Sequence, residues 1–94
     1  RKVDVNFDNE SSSTYSILIV KTNNRPKLLY DISKILIKNN LIISMAKIST
    51  NGDFVEDSFH LRSEYGLKIE NKDSIKNLVN EIIDKLNHNL NDVI

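Results

Sequence analysis

The stretch YSILIVKT, residues 15–22, restricts the fold more than any other part of the chain. Ile17 and Ile19 alternate with Leu18 and Val20, so both faces of this strand-forming segment are aliphatic. A strand of that kind lies inside a sheet and needs cover on its faces. Two later segments can supply cover. Leu28, Leu29, Ile32, Ile35 and Leu36 recur at helical spacing within residues 26–39, with Asp31, Ser33, Lys34 and Lys38 elsewhere on the surface. Ile75, Leu78, Val79, Ile82, Ile83, Leu86 and Leu90 form a cleaner stripe of the same period. Pro26 suits the first position of the earlier helix, where its missing N–H costs nothing. Asn39-Asn40 ends that helix, and Asn71 or Asp73 can cap the later one.

Three further strands surround the central one. VDVNF alternates Val3, Val5 and Phe7 against Asp4 and Asn6, which predicts a half-buried strand over 2–7 followed by the polar turn DNESSS. IISMAKIST, within 42–50, alternates Ile42, Ser44, Ala46 and Ile48 against Ile43, Met45, Lys47 and Ser49. Asn51-Gly52 is a hairpin signal with both turn residues tolerant of positive φ. Residues 54–62 return with Val55, Asp57, Phe59 and Leu61 inward and Glu56, Ser58, His60 and Arg62 outward. Asp57 on the inward face should find a hydrogen-bond partner, in the backbone or a Lys.

The order ββαββα predicts an α+β, ferredoxin-like two-layer sandwich: one antiparallel four-stranded sheet with two helices on one face. A right-handed crossover makes 15–22 and 42–50 parallel, and the hairpin inserts 54–62 between them. The last strand of a regular βαββαβ unit is missing. Strand 2–7, joined to 15–22 by a short loop, takes its place, giving the order 2–7, 15–22, 54–62, 42–50. The aliphatic residues left on the open face of the sheet then call for a second domain or subunit.

Composition removes several functions. There is no Cys for a disulfide, a thiolate zinc site or a nucleophile, and there is no GxSxG elbow or P-loop. Histidines are limited to His60, expected on the exposed sheet face, and His88 near the end of the last helix, so no catalytic or metal site is expected. Thirteen basic residues balance thirteen acidic ones, which leaves no footprint for nucleic acid or an acidic membrane. Base stacking on the sheet is disfavoured too, since Phe59 faces the core and only Tyr15 remains. A soluble, cytoplasmic domain spanning 1–94, cut from a longer chain because it begins with Arg, is the expectation.

RPKLLYDISKIL after ILIVKTNN, followed by AKISTNG and DSFHLRSEYGLKI, resembles the ACT domain, a regulatory module that commonly binds amino acids. With the leading VDVNFDNESS strand, it is most similar to the C-terminal ACT domain of the bifunctional PII uridylyltransferase/uridylyl-removing enzymes. The resemblance spans residues 2–86. It implies a regulatory domain with no cofactor and no catalysis of its own, acting through pairing with another ACT domain or a homodimer partner. The implied effector is an amino acid, glutamine first.

The resemblance places that effector between a loop at Asn23, Asn24, Arg25, Pro26, Lys27, Leu28 and Leu29 and the start of the next strand, around Ile43 and Ser44. Free N–H groups at a helix N-terminus suit its carboxylate. The family pattern Asp-Arg-Pro-Gly-Leu-Leu is altered here: Asn24 replaces the Asp and Lys27 the Gly. Gly permits close approach of a ligand to the backbone. Two readings follow: Lys27 turns away and leaves a shifted pocket, or the domain keeps only a structural dimerisation and packing role.

Overall fold

In the computed structural model, residues 3–91 are described, with side chains through Asn87. Lys2, at the start of the predicted first strand, and the side chains of His88 and Leu90 lie outside the described residues. The elements run β1 (Asp4–Asp8), β2 (Ser16–Asn23), α1 (Leu28–Lys38), β3 (Leu41–Asn51), β4 (Phe54–Ser63) and α2 (Lys72–Asn91). One antiparallel sheet has the order β1-β2-β4-β3, so β1 does fill the edge that a final strand would occupy.

The two faces of β2 are resolved by burial. Leu18 and Val20 are fully buried beneath the helices, and Ile17 and Ile19 lie half-buried on the open face. Cross-strand partners share a face. Phe7 and Val5 therefore join Leu18 and Val20 on the helix side, with Phe59 and Asp57 opposite them on β4. Ile32, Leu36, Ile82 and Leu86 close this core from the helix layer.

Three local details depart from the sequence expectations. The hairpin turn is Gly52-Asp53, because Asn51 still pairs with Phe54; Gly52 alone has positive φ (65°), the pattern of a II′ turn. A register shift at Ser44 breaks the alternation of β3, so Ile42 shares the open face with Met45 and Lys47, whereas Ile43 shares the helix side with Ala46 and Ile48. Helix α1 starts at Leu28, two residues after Pro26. At its other end Asn40, with φ 63°, stops the helix in the left-handed conformation that Asn tolerates. Helix α2 is capped by Asn71, whose Oδ1 accepts the Ser74 N–H at 2.9 Å.

The face assignment of β2 is open to measurement. Leu18→Ala should cost about 2–5 kcal/mol in urea unfolding and Ile17→Ala less than half of that. Equal losses would mean that both faces of the strand are packed within this chain.

Candidate functional site

Pro26 presets a tight turn, and that turn decides how α1 begins. Arg25 and Leu28 are its ends, linked by a long 3.4 Å contact from the Leu28 N–H to the Arg25 carbonyl. Lys27 is the third residue, with φ 63° and ψ 16°, close to the left-handed position of a type II turn that Gly ordinarily fills. Holding a Lys there costs about 1–2 kcal/mol. The Gly of the family pattern thus answers a backbone requirement at this position, beyond any approach by a ligand. Lys27 then accepts the first intrahelical bond, from the Asp31 N–H at 2.8 Å. Asn24 does not cap the helix: it lies three residues before Lys27, and no side chain caps α1. The N–H groups of Leu29 and Tyr30 consequently have no acceptor within the described residues.

This helix start overhangs the hairpin end of β3 and β4. The space between is a cleft of about 260 Å³ lined by Asn24, Arg25, Lys27, Leu28, Leu29 and Tyr30 from above and by Ile48, Thr50, Val55 and Asp57 from the sheet. That is slightly below the roughly 300–1,000 Å³ of drug-sized sites, which points to a small occupant. Lys27 is exposed and leaves the cleft open. A second cleft, about 300 Å³, lies between α1 and α2 beside Lys34, Lys38, Glu81 and Lys85. There Lys38 is already paired with Glu81 and no buried polar group waits for a partner, so the first cleft is the better candidate.

Asp57 gives that cleft its chemistry. It is 2% exposed, and its Oδ1 has no hydrogen-bond partner. Its cross-strand neighbours, Val20 and Ile48, are aliphatic. The partner expected from the sequence is therefore absent among the described residues: the two positions directly opposite carry no donor, and no hydrogen bond reaches Oδ1 from the diagonal Thr22 or Thr50. An unpaired carboxylate in such a place costs several kcal/mol or takes up a proton. Burial accordingly pushes the Asp57 carboxyl above its ordinary range. Across the cleft, Arg25 Nη2 binds Asp31 Oδ2 at 2.6 Å, while Arg25 Nη1 is buried without a partner. No salt bridge joins Arg25 to Asp57. One cleft thus holds a buried acid, an unused guanidinium nitrogen and two free N–H groups.

Of the residues anticipated from the sequence, Asn24, Arg25, Lys27, Leu28 and Leu29 line the cleft, and Asn23 and Pro26 hold the loop that shapes it. Ile43 and Ser44 do not meet it within one chain. Strand β3 runs parallel to β2, so Ile43, opposite Leu61, lies at the far end of the sheet from Asn23, opposite Phe54. Ile48, Thr50 and Val55 were not anticipated as site residues. The inward alternation of β4 was the signal for Asp57 and Val55, whereas Ile48 and Thr50 join them only through the register of the hairpin. His60 serves the open face, stacked on Tyr15 at 5.5 Å.

Residues 11–89 match the family described as the ACR family N-terminal ACT domain. The chain belongs to the ACT-domain family. Its relatives include the bifunctional uridylyltransferase/uridylyl-removing enzyme of Cereibacter sphaeroides, 47% identical over 66 residues, which are 70% of this chain and 7% of that protein. The enzyme of the same name from Azospirillum brasilense is 38% identical over 80 residues, 85% of this chain and 9% of that protein. The ACT domain-containing protein ACR2 of Arabidopsis thaliana is 33% identical over 78 residues, 83% of this chain and 16% of that protein. The chain thus spans less than a tenth of the length of these uridylyltransferase relatives. No solved structure matches it.

The state of Asp57 can be read from stability in this ACT domain. Its folded pKa is raised, so the folded protein holds a proton that the unfolded chain releases from about pH 4 upward. Stability should fall as pH rises from there through the folded pKa. Asp57→Asn removes that loss: it should match the parent near pH 4 and exceed it by about 1 kcal/mol or more at pH 7. A variant less stable than the parent at pH 7 would mean that Asp57 has a partner in solution.

Proposed function

We propose that this ACT domain is the amino-acid-sensing, regulatory part of a cytoplasmic uridylyltransferase/uridylyl-removing enzyme. The cleft beneath the 23–29 loop takes the effector, and glutamine is the first candidate. The observation that carries the reading is the convergence of the free Leu29 and Tyr30 N–H groups, Arg25 Nη1 and the unpaired Asp57 carboxylate on one small cleft. Similarity to uridylyltransferase/uridylyl-removing enzymes supports the parent activity, whose catalytic residues belong elsewhere in that longer protein.

Binding becomes regulation when the ligand prefers one arrangement of paired domains over another. Strand β3 offers the surface for pairing. It is an edge strand of eleven residues with Ile42, Met45 and Ile48 exposed by 42%, 55% and 51%. Long apolar edges of this kind are ordinarily covered. A second copy seated there is the route by which Ile43 and Ser44 would join a neighbour's loop. The same edge also fits the alternative, a packing module without a ligand.

A thermal-shift screen of the chain against the twenty amino acids, with size-exclusion chromatography alongside, separates the two. Glutamine at a hundredfold excess over its Kd should stabilise by about 2.7 kcal/mol, on the order of 10–20 °C in a domain of this size. Arg25→Ala, compared with its own ligand-free melting point, should lose the shift. A dimer whose melting point none of the twenty moves would favour the packing module.

A further inference from the structure

Asp57 is the only acidic side chain among the described residues that the fold buries fully. Nothing in the packing asks for a charge there. It stands between Val20 and Ile48 across the sheet and between Val55 and Phe59 along its own face. An aliphatic residue would suit every one of those neighbours. The carboxylate does have one open direction, into the cleft that it lines with Arg25, Lys27 and the first turn of α1.

The unmet groups of the cleft are of opposite sign and do not satisfy each other. The unpaired Asp57 oxygen accepts, whereas Arg25 Nη1 and the Leu29 and Tyr30 N–H groups donate. Arg25 and Asp57 form no salt bridge, so the space between them is left for a third party. A plain anion would satisfy the donors and leave Asp57 repelling it. A plain cation would meet Asp57 and face Arg25 and Lys27. A molecule carrying both charges on adjacent groups satisfies the whole set.

We propose that Asp57 is the specificity residue of the cleft, receiving the ammonium group of an amino acid whose carboxylate lies on the Leu29 and Tyr30 N–H groups and Arg25 Nη1. The proposal rests on the reading of the cleft as an amino-acid site and adds what the site measures. It makes the domain respond to the aminated molecule and reject the deaminated or 2-oxo acid of the same skeleton. It also gives a role to an acid that the surrounding packing does not require.

Calorimetric titration of the chain with L-glutamine and with glutaramate, which lacks only the α-amino group, tests this. The parent should bind glutamine at least a hundredfold more tightly than glutaramate. Asp57→Asn should lose about that factor for glutamine and little for glutaramate, so that the two ligands converge, with its ligand-free melting point no lower than the parent's. If another amino acid gives the larger shift in the screen, the pair is that acid and its own deaminated analogue. Equal binding of the two ligands by the parent overturns the proposal and leaves amino-acid sensing intact; that comparison needs no variant to fold. Undiminished glutamine binding by Asp57→Asn overturns it as well. Failure of the parent to bind any of the twenty amino acids overturns both readings together.

Discussion

The helix layer covers one face of the sheet and stops short of one corner, and the site follows from that mismatch. Leu18, Val20, Phe59 and Leu61 need the apolar stripes of both helices above them, and Ile32, Leu36, Ile82 and Leu86 provide it. Helix α1, however, cannot begin where the chain leaves β2. The turn at Arg25–Leu28 delays it until Leu28, and the backbone of Lys27 is held left-handed to do so. The consequence is a helix N-terminus poised over Val55 and Asp57 with space beneath it.

Two costs are concentrated at this corner, a left-handed Lys and a buried unpaired carboxylate. Elsewhere among the described residues Arg62 Nε is also buried without a partner, but no carboxylate is, and several polar groups are well paired. Asn9 and Ser16 bind the backbone of Ile69, and Lys68 Nζ reaches the carbonyls of Asn9 and Ser12, each at 2.7 Å. The Asp8 carboxylate accepts from the Ser11 hydroxyl and from the Glu10 and Ser11 N–H groups, which hold its pKa below the ordinary range. Local exceptions to well-paired packing gather at functional sites, where an absent partner completes them. The corner under α1 has that character, with an unpaired acceptor and an unpaired donor on one cleft, whereas the opposite end of the sheet holds the single unpaired Arg62 Nε.

Much of the architecture was legible in the residue pattern. The two-faced β2, the alternation of β4 and the stripe of α2 determine the layers, and the short loop after β1 leaves it no position but the edge beside β2. Features that depend on a single residue's backbone were not legible. Nothing about Lys27 announces a left-handed φ, so Pro26 read as the first helical residue. Nothing about Ser44 announces a bulge, so the strict alternation read for β3 grouped Ile42 with Ala46 and Ile48, from which the shift separates it. The candidate site was half visible for the same reason. Its loop is contiguous in sequence, whereas its floor, Ile48, Thr50, Val55 and Asp57, comes together only through the register of the hairpin. Asp57 stood out as an inward acid, yet its lack of a partner is a property of its neighbours' side chains in space.

The central claim is that this corner is a ligand site of the ACT domain. The most direct test is a titration of the ¹⁵N-labelled chain with L-glutamine, followed by amide correlation spectra. Saturable shifts are expected, confined to the amides of Asn24, Arg25 and Lys27–Tyr30 and to those around Ile48, Val55 and Asp57, with Leu29 and Tyr30 moving most. Spectra unchanged at millimolar glutamine, or shifts centred on the open face around Ile17, Ile19 and His60, would contradict it.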